Sequence, residues 1–222
     1  MKLLALDTAT EACSAAVWVE GAVLEHYEWA PRRHAALILP MIEAVLAEAE
    51  LNVAQLDAIA FGRGPGAFTG ARIAVGIVQG IAFAADRPVV PVSTLAALAL
   101  GAARDSGRAR IAAALDARMG EVYWGVYGIA DEDATSLDEE RCCAPETVTA
   151  PPGEWFGAGN GWAAHAETLA QRLTVNGWRG DFYPRAGDVA RLAATPSRLG
   201  AWVAAERALP VYLRNQVAAK PA

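Results

Sequence analysis

Four glycines in one short stretch, at 62, 64, 66 and 70, constrain this chain more than any other feature. An apolar run, Ala58 to Phe61, enters the segment Gly62-Arg63-Gly64-Pro65-Gly66-Ala67-Phe68-Thr69-Gly70-Ala71-Arg72, and a long apolar helical pattern leaves it. Glycine lets a backbone turn sharply and sit close to whatever it faces. In a strand–loop–helix corner, successive amides and the positive end of the helix dipole face an anion readily. The stretch is therefore a candidate phosphate cradle, with Gly64 and Gly66 at its centre. Beside it stands the plainer reading of a tight corner with no ligand. Neither established template fits. A P-loop requires Gly-Lys-Ser/Thr after a first glycine and four residues, and no lysine occurs here. A dinucleotide fingerprint begun at Gly64 requires glycine at 69, where Thr69 stands.

At 222 residues the chain is one large domain or two small ones, and 54% hydrophobic content supplies a real core. The formal charge of −6 argues against an autonomous grip on nucleic acid, which needs a basic face to replace phosphate counterions. Cys13, Cys142 and Cys143 make no disulfide framework, and His26, His34 and His165 are scattered. A reducing cytoplasm is the expected setting. Leu3 to Leu6 is too short for a signal peptide, and Ile73 to Ala85, bounded by Arg72 and Asp86, is too short to span a bilayer. The expectation is a soluble protein with no membrane partner.

Taken in order, Leu3–Leu6 reads as a buried strand ending in the polar turn Asp7-Thr8-Ala9-Thr10. Cys13–Val19 and Val23–Trp29 form a hairpin about Gly21. A first helix is expected over Pro31–Glu50, with more apolar residues than one stripe needs; it either packs on two sides or meets another chain. Ala58–Phe61 is a strand, and the second helix runs from about Thr69, a candidate cap, to Ala85. Gly76 and Gly80 lie one turn apart, with Arg72 a turn earlier, so one face of this helix is thin. Each internal glycine costs about 1 kcal/mol against alanine, which calls for a packing reason, inside the fold or against a partner. Pro88–Val92 is a strand and Leu95–Ala103 a short helix. The polar stretch Arg104–Arg110 is the expected boundary, giving domains 1–104 and 105–222. After it the opening pattern returns: Ile111–Leu115 ends at Asp116, and Val122–Tyr127 follows. Asp131 to Arg141 reads as a solvated acidic loop. Trp155–Gly161 is a second glycine corner before the helical pattern Trp162–Leu173. Helices are expected over Ala186–Ala194 and Ala201–Ala208, then an extended Pro210–Arg214 and a frayed end about Lys220.

Leu6-Asp7-Thr8-Ala9-Thr10, the glycine corner, Val92-Ser93-Thr94-Leu95, Asp116-Ala117-Arg118-Met119-Gly120-Glu121-Val122-Tyr123 and Pro210-Val211-Tyr212-Leu213-Arg214 together resemble the TsaB (YeaZ) family. These segments cover almost the whole chain in order. The resemblance implies an α/β fold, a duplicated actin, Hsp70 and sugar-kinase-like architecture with mixed sheets flanked by helices. It implies a role in synthesis of threonylcarbamoyladenosine at position 37 of ANN-decoding tRNAs. The implied partners are TsaD, a metal-binding paralogue that transfers the threonylcarbamoyl group, and TsaE, a small ATPase. A homodimer is implied when TsaD is absent, and tRNA is met through the complex. The family's contact lies on the helices after the first hairpin and after the glycine corner, which here places His34, Ile38, Met41, Ile42, Val45, Arg72, Ile73, Gly76, Ile77 and Gly80 on a partner face.

The chain's own chemistry is sparse. The paralogue's metal site uses a His-x-x-x-His pair, and two imidazoles one turn apart are what one ion needs. Here His34 stands between Ala30 and Ile38, so no metal site is assigned. No Ser-His-Asp or Cys-His set supports a peptidase. Asp7 and Thr8, the corner at Gly64 and Gly66, and Asp116 match in type the aspartate turns that surround nucleotide in ATPases of this fold, but Asp116-Ala117-Arg118 lacks the glycine that usually follows. No catalytic residue or cofactor is assigned to the chain itself, and ATP or ADP is left to the assembled complex. The expected function is a non-catalytic scaffold for the transferase; the alternative is a nucleotide-binding ATPase or kinase-like enzyme.

Overall fold

A computed structural model describes residues 1–195 and 200–214. The first sheet has the order β3-β2-β1-β4-β5, built from Lys2–Asp7 (β1), Ala12–Val19 (β2), Ala22–Trp29 (β3), Ala58–Gly62 (β4) and Val89–Val92 (β5). β1 pairs antiparallel with β2 and parallel with β4, so the sheet is mixed. The second sheet has the order β11-β10-β6-β7-β8, from Arg110–Arg118 (β6), Glu121–Ala130 (β7), Asp133–Ser136 (β8), Trp155–Ala158 (β10) and Val175–Arg179 (β11), with Arg141–Cys143 (β9) also paired to β7. With β9 set aside, both sheets therefore run third, second, first, fourth, fifth strand, with the first strand antiparallel to the second and parallel to the fourth. The duplication is a fact of topology, and the architecture is the actin, Hsp70 and sugar-kinase one.

Helices His34–Glu48 (α1) and Phe68–Ala85 (α2) cover the outer face of the first sheet; Asn160–Arg172 (α4) covers the outer face of the second. Among the described residues the second copy has no α-helix in the place of α1, only the 3-10 turn Pro145–Thr147 against α4. Between the sheets lie Thr94–Ser106 (α3) and Ala186–Ala194 (α5), and they are exchanged: α3 packs on β6, β7 and β8, and α5 on β1, β2 and β4. Strand alternation feeds these layers. Leu3 and Ala5 point into the central core, Leu4 and Leu6 into the core under α1 and α2. The outer core of the second sheet centres on three buried tryptophans, and each indole N–H donates to a carbonyl: Trp124 to Thr149, Trp155 to Pro151 and Trp162 to Ala112.

Several sequence expectations change. The first helix starts at His34 rather than Pro31, and carries Pro40 inside. Ala67, not Thr69, sits at the cap of α2, and no side chain caps it. α3 continues through Arg104 to Ser106, into the stretch read as a boundary, because Ser106 Oγ donates back to Ala102 O and Gly107 supplies the left-handed end. The acidic loop is ordered: residues 133–136 pair with β7, and the Tyr127 hydroxyl donates to Glu140. Strand β11 carried no clear period in sequence. The helix expected over Ala201–Ala208 is a single 3-10 turn, Ala205–Arg207, in an otherwise extended segment. The expectation for Lys220 lies outside the described residues.

Candidate functional site

The glycine corner is filled by the chain itself. A methyl group at Gly62 would overlap the Asp7 carboxylate, one at Gly66 the Ala9 carbonyl, and one at Gly70 the Thr8 carbonyl. The close approach is hydrogen-bonded: Ala67 N donates to Ala9 O at 2.7 Å, and Thr8 Oγ1 donates to Gly70 O at 2.8 Å. Gly64, at φ 93°, lies against the Val211 carbonyl, and its amide donates to Thr94 Oγ1. These absent side chains make room for the turn after β1 and for the C-terminal segment. The proposed phosphate residues Asp7, Thr8, Gly64 and Gly66 are thus joined, but to one another and to protein carbonyls.

Asp7 is sealed in this joint. Its Oδ1 accepts from Ala9 N at 2.8 Å, while Oδ2 has no partner among the described residues. The Thr94 hydroxyl lies near enough to favour the anion without completing a hydrogen bond to Oδ2. Desolvation outweighs both effects and pushes the carboxyl up to about 7. A group so placed does not reach a ligand in the cleft.

The cleft between the sheets has a volume of about 230 Å³, and is lined by Thr10, Glu11, Gly66, Asp116, Arg118 and Asn160 among others, but not by Asp7. Its second aspartate is engaged as well. Asp116 accepts from Arg118 N at 2.8 Å and from Arg118 Nη1 at 3.0 Å, and Arg118 reaches across to Glu11 at 3.3 Å. Asn160, at the start of α4, accepts from Asp116 N at 2.8 Å. The second glycine corner repeats the first: methyl groups at Gly159 and Gly161 would crowd the Ala114 backbone. Each aspartate turn is pinned by the glycine corner of its own copy.

His34, to which no metal role is assigned, is turned into the protein. Its Nε2 faces Ala12 O at 3.2 Å, the side chain is buried, and Ile38 one turn on belongs to the core. Among the described residues no three His, Cys, Asp or Glu side chains gather as a metal site.

The expected partner face divides in two. On α1, His34, Ile38, Met41, Ile42 and Val45 are buried in the chain's own core. The sequence showed an apolar excess there, but α1 spends these residues on β2 and α2, and the sheet takes the face expected of a partner. Exposed on α1 are Ala35, Ala36, Leu39, Pro40, Glu43, Ala47 and Glu48. On α2 the inner side (Ala71, Ala74, Val75, Val78 and Ala82) packs against the sheet. Arg72, Gly76 and Gly80 are exposed, with Ile73 and Ile77 half-buried beside them. A methyl group added at Gly76 or Gly80 would meet nothing within 4 Å. Their thinness therefore serves no contact with the other described residues. Phe83, 82% exposed, extends this surface, as does Phe68 at its start. Sequence reading missed Phe68, Phe83 and Tyr212. The Phe68–Tyr212 pair had no local signal, since its members lie far apart in sequence, and only the exposed, apolar residue at 83 was open to inspection. α2 is also the one helix among the described residues long and apolar enough to cross a membrane. Its inner side is already committed to β4.

Comparison with known proteins fixes the family. The tRNA threonylcarbamoyladenosine biosynthesis protein TsaB of Escherichia coli is 43% identical, over 99% of this chain and 97% of that protein. The chain belongs to the TsaB (YeaZ) family. The TsaB of Haemophilus influenzae is 39% identical, over 98% of this chain and 95% of its own. The solved structure of YeaZ from Pseudomonas aeruginosa superposes with a TM-score of 0.90 at 50% identity, covering 96% of this chain and 99% of that one. A family model described as TsaD, tRNA N6-adenosine threonylcarbamoyltransferase, matches residues 26–183. This TsaB-family chain thus also matches the transferase's family model over most of its length.

Proposed function

We propose that this chain is the non-catalytic scaffold subunit of tRNA threonylcarbamoyladenosine synthesis. In this reading it docks the TsaD transferase on the outer face of α2 and, with TsaE, supports threonylcarbamoylation of adenosine 37 in ANN-decoding tRNAs in the cytoplasm. The observation that carries it is the exposed, largely apolar, glycine-thinned face of α2, at Arg72, Ile73, Gly76, Ile77 and Gly80, which at the two glycines meets nothing among the described residues. A thin helix face admits a partner's backbone closely, and glycine there carries a folding cost that a contact offsets. Relatives named for threonylcarbamoyladenosine biosynthesis supply the pathway. A homodimer through the same face is the expected resting form without TsaD. The net charge of −6 leaves most of the tRNA grip to the partners.

The test is size-exclusion chromatography with purified TsaD at micromolar concentration. Co-migration is expected, and its loss in Gly76→Leu; two folded proteins that elute separately would overturn the reading. Reconstituted tRNA modification should then require this chain in addition to TsaD, TsaE and the enzyme that makes the threonylcarbamoyl adenylate.

A further inference from the structure

Residues 200–214 form a strap with anchors on both sheets. Val203 and Val89 exchange backbone hydrogen bonds of 2.8 Å at the edge of the first sheet. Gln79 Nε2 of α2 donates to Ala208 O at 3.0 Å, and Val211 N donates to Arg63 O in the glycine corner at 2.8 Å. The last anchor is on the other sheet: Arg214 Nη2 donates to Ala117 O at 2.9 Å and pairs with Glu121.

Between these anchors two large apolar side chains are left uncovered, Leu209 at 61% and Tyr212 at 47% exposure. The Tyr212 ring lies 5.8 Å from that of Phe68, the first residue of α2. The Arg72 guanidinium sits 3.2 Å over the Phe68 ring and 5.0 Å from that of Tyr212. Arg72 has no carboxylate within ion-pair distance among the described residues, whereas Arg118 and Arg214 nearby are each paired. The cluster is therefore apolar with one uncompensated positive charge. A nucleic acid strand would call for several free cations; one apolar element with one carboxylate matches it better.

We propose that the partner-docking surface is composite: the strap, through Leu209 and Tyr212, extends the α2 face at Phe68 and Arg72, and the partner meets it with an apolar helix carrying a carboxylate opposite Arg72. This rests on the reading that α2 receives a TsaD-family chain. Arg214 is a positioning residue. It ties the strap to the end of β6 and the start of β7 and so keeps the Tyr212 ring on Phe68. Aromatic anchors at the edge of an apolar stripe, desolvated by a partner, are the side chains whose truncation costs most in binding.

The test measures affinity for purified TsaD by calorimetry and hydrogen exchange of the wild-type chain, free and bound. Tyr212→Ala is expected to fold, since its ring is half-exposed, and to weaken binding at least tenfold. Arg214→Ala should weaken it less and speed exchange over 209–213 in the free protein. Binding should protect residues 209–213 in the wild type. Tyr212→Ala binding within twofold of wild type, or no protection of the strap on binding, would each overturn the composite surface while leaving the α2 reading intact. Should Tyr212→Ala fail to fold, strap protection in the wild type decides. Absence of any wild-type binding removes the parent reading, and this one with it.

Discussion

Asp7 shows how a motif residue changes meaning when its surroundings are known. In sequence, Leu6-Asp7-Thr8-Ala9-Thr10 fits a nucleotide turn; in the fold, Gly62 admits the carboxylate into a closed pocket where one oxygen stays unpartnered. The residue type was legible, but its accessibility depended on glycines more than fifty positions away. The consequence is a pH dependence of stability. The folded carboxyl, pushed up to about 7, holds its proton more tightly than the unfolded chain, whose value is near 3.8. Its stabilising effect is full below about pH 4 and is lost as the pH climbs through 7. Asp188, buried beside Arg104 and pushed up to about 6 by desolvation, acts in the same direction. Between pH 5 and pH 8 the Asp7 contribution should fall by about 2–3 kcal/mol. Asp7→Asn keeps the acceptor for Ala9 N and removes the charge. Urea unfolding at both pH values should show a shallower pH dependence in this variant and stability at pH 8 at or above wild type. Parallel pH profiles would mean that Asp7 is not the titrating group.

At the scale of elements, the sequence gives the strand–hairpin–helix order correctly because apolar runs and turn residues are local signals. It also makes the glycines of α2 conspicuous. It does not distinguish glycines that admit the chain's own backbone from glycines that face outward, since both are spelled alike. Structure separates them, and mutation should as well. Gly66→Ala drives a methyl into the Ala9 carbonyl and Gly70→Ala one into the Thr8 carbonyl, both rigid backbone. Each should cost about 3 kcal/mol or more in urea unfolding. Gly80→Ala meets nothing among the described residues and gains helix propensity, so it should stabilise the isolated chain by up to about 1 kcal/mol. A loss of stability in Gly80→Ala would mean that its face is packed within the chain after all. The misplacement of α1's residues has a similar origin: an apolar surplus reports that burial is required, not which surface provides it. Ile38, Met41, Ile42 and Val45 find theirs on the sheet.

Over the whole molecule, the exchange of α3 and α5 governs how the two copies depend on each other. The sequence suggested a boundary at 104–110 because charge and glycine collect there, and a composition shift is visible in one dimension. An exchanged helix is not. α5 covers Leu3, Ala5, Ala58 and Ala60 of the first sheet, although it belongs to the second half of the chain, and Ser14 Oγ accepts from Ala186 N at 2.9 Å to fix its start. α3, from the first half, covers Ile111, Ala113 and Tyr127 of the second sheet. Arg104 on α3 and Asp188 on α5 join at 3.0 Å where the helices meet. The acidic loop adds a further tie, since Glu140 accepts from Tyr127 and lies 3.9 Å from Arg63 of the corner. Removing the hydroxyl in Tyr127→Phe leaves that carboxylate short of a donor and should cost about 1–3 kcal/mol. The larger consequence concerns folding units. A fragment of residues 1–104 lacks the helix that covers one whole face of its sheet, and so exposes a contiguous apolar surface in place of a core. Expressed alone, it should aggregate or give no cooperative urea transition, whereas the intact chain should unfold in one transition followed equally by tryptophan fluorescence and far-ultraviolet circular dichroism. Fragments 1–106 and 107–222 mixed during refolding should recover that transition, because each carries the helix the other lacks. A cooperative transition in the 1–104 fragment alone would show that α5 is dispensable to the first sheet and that the exchange contributes little to its stability.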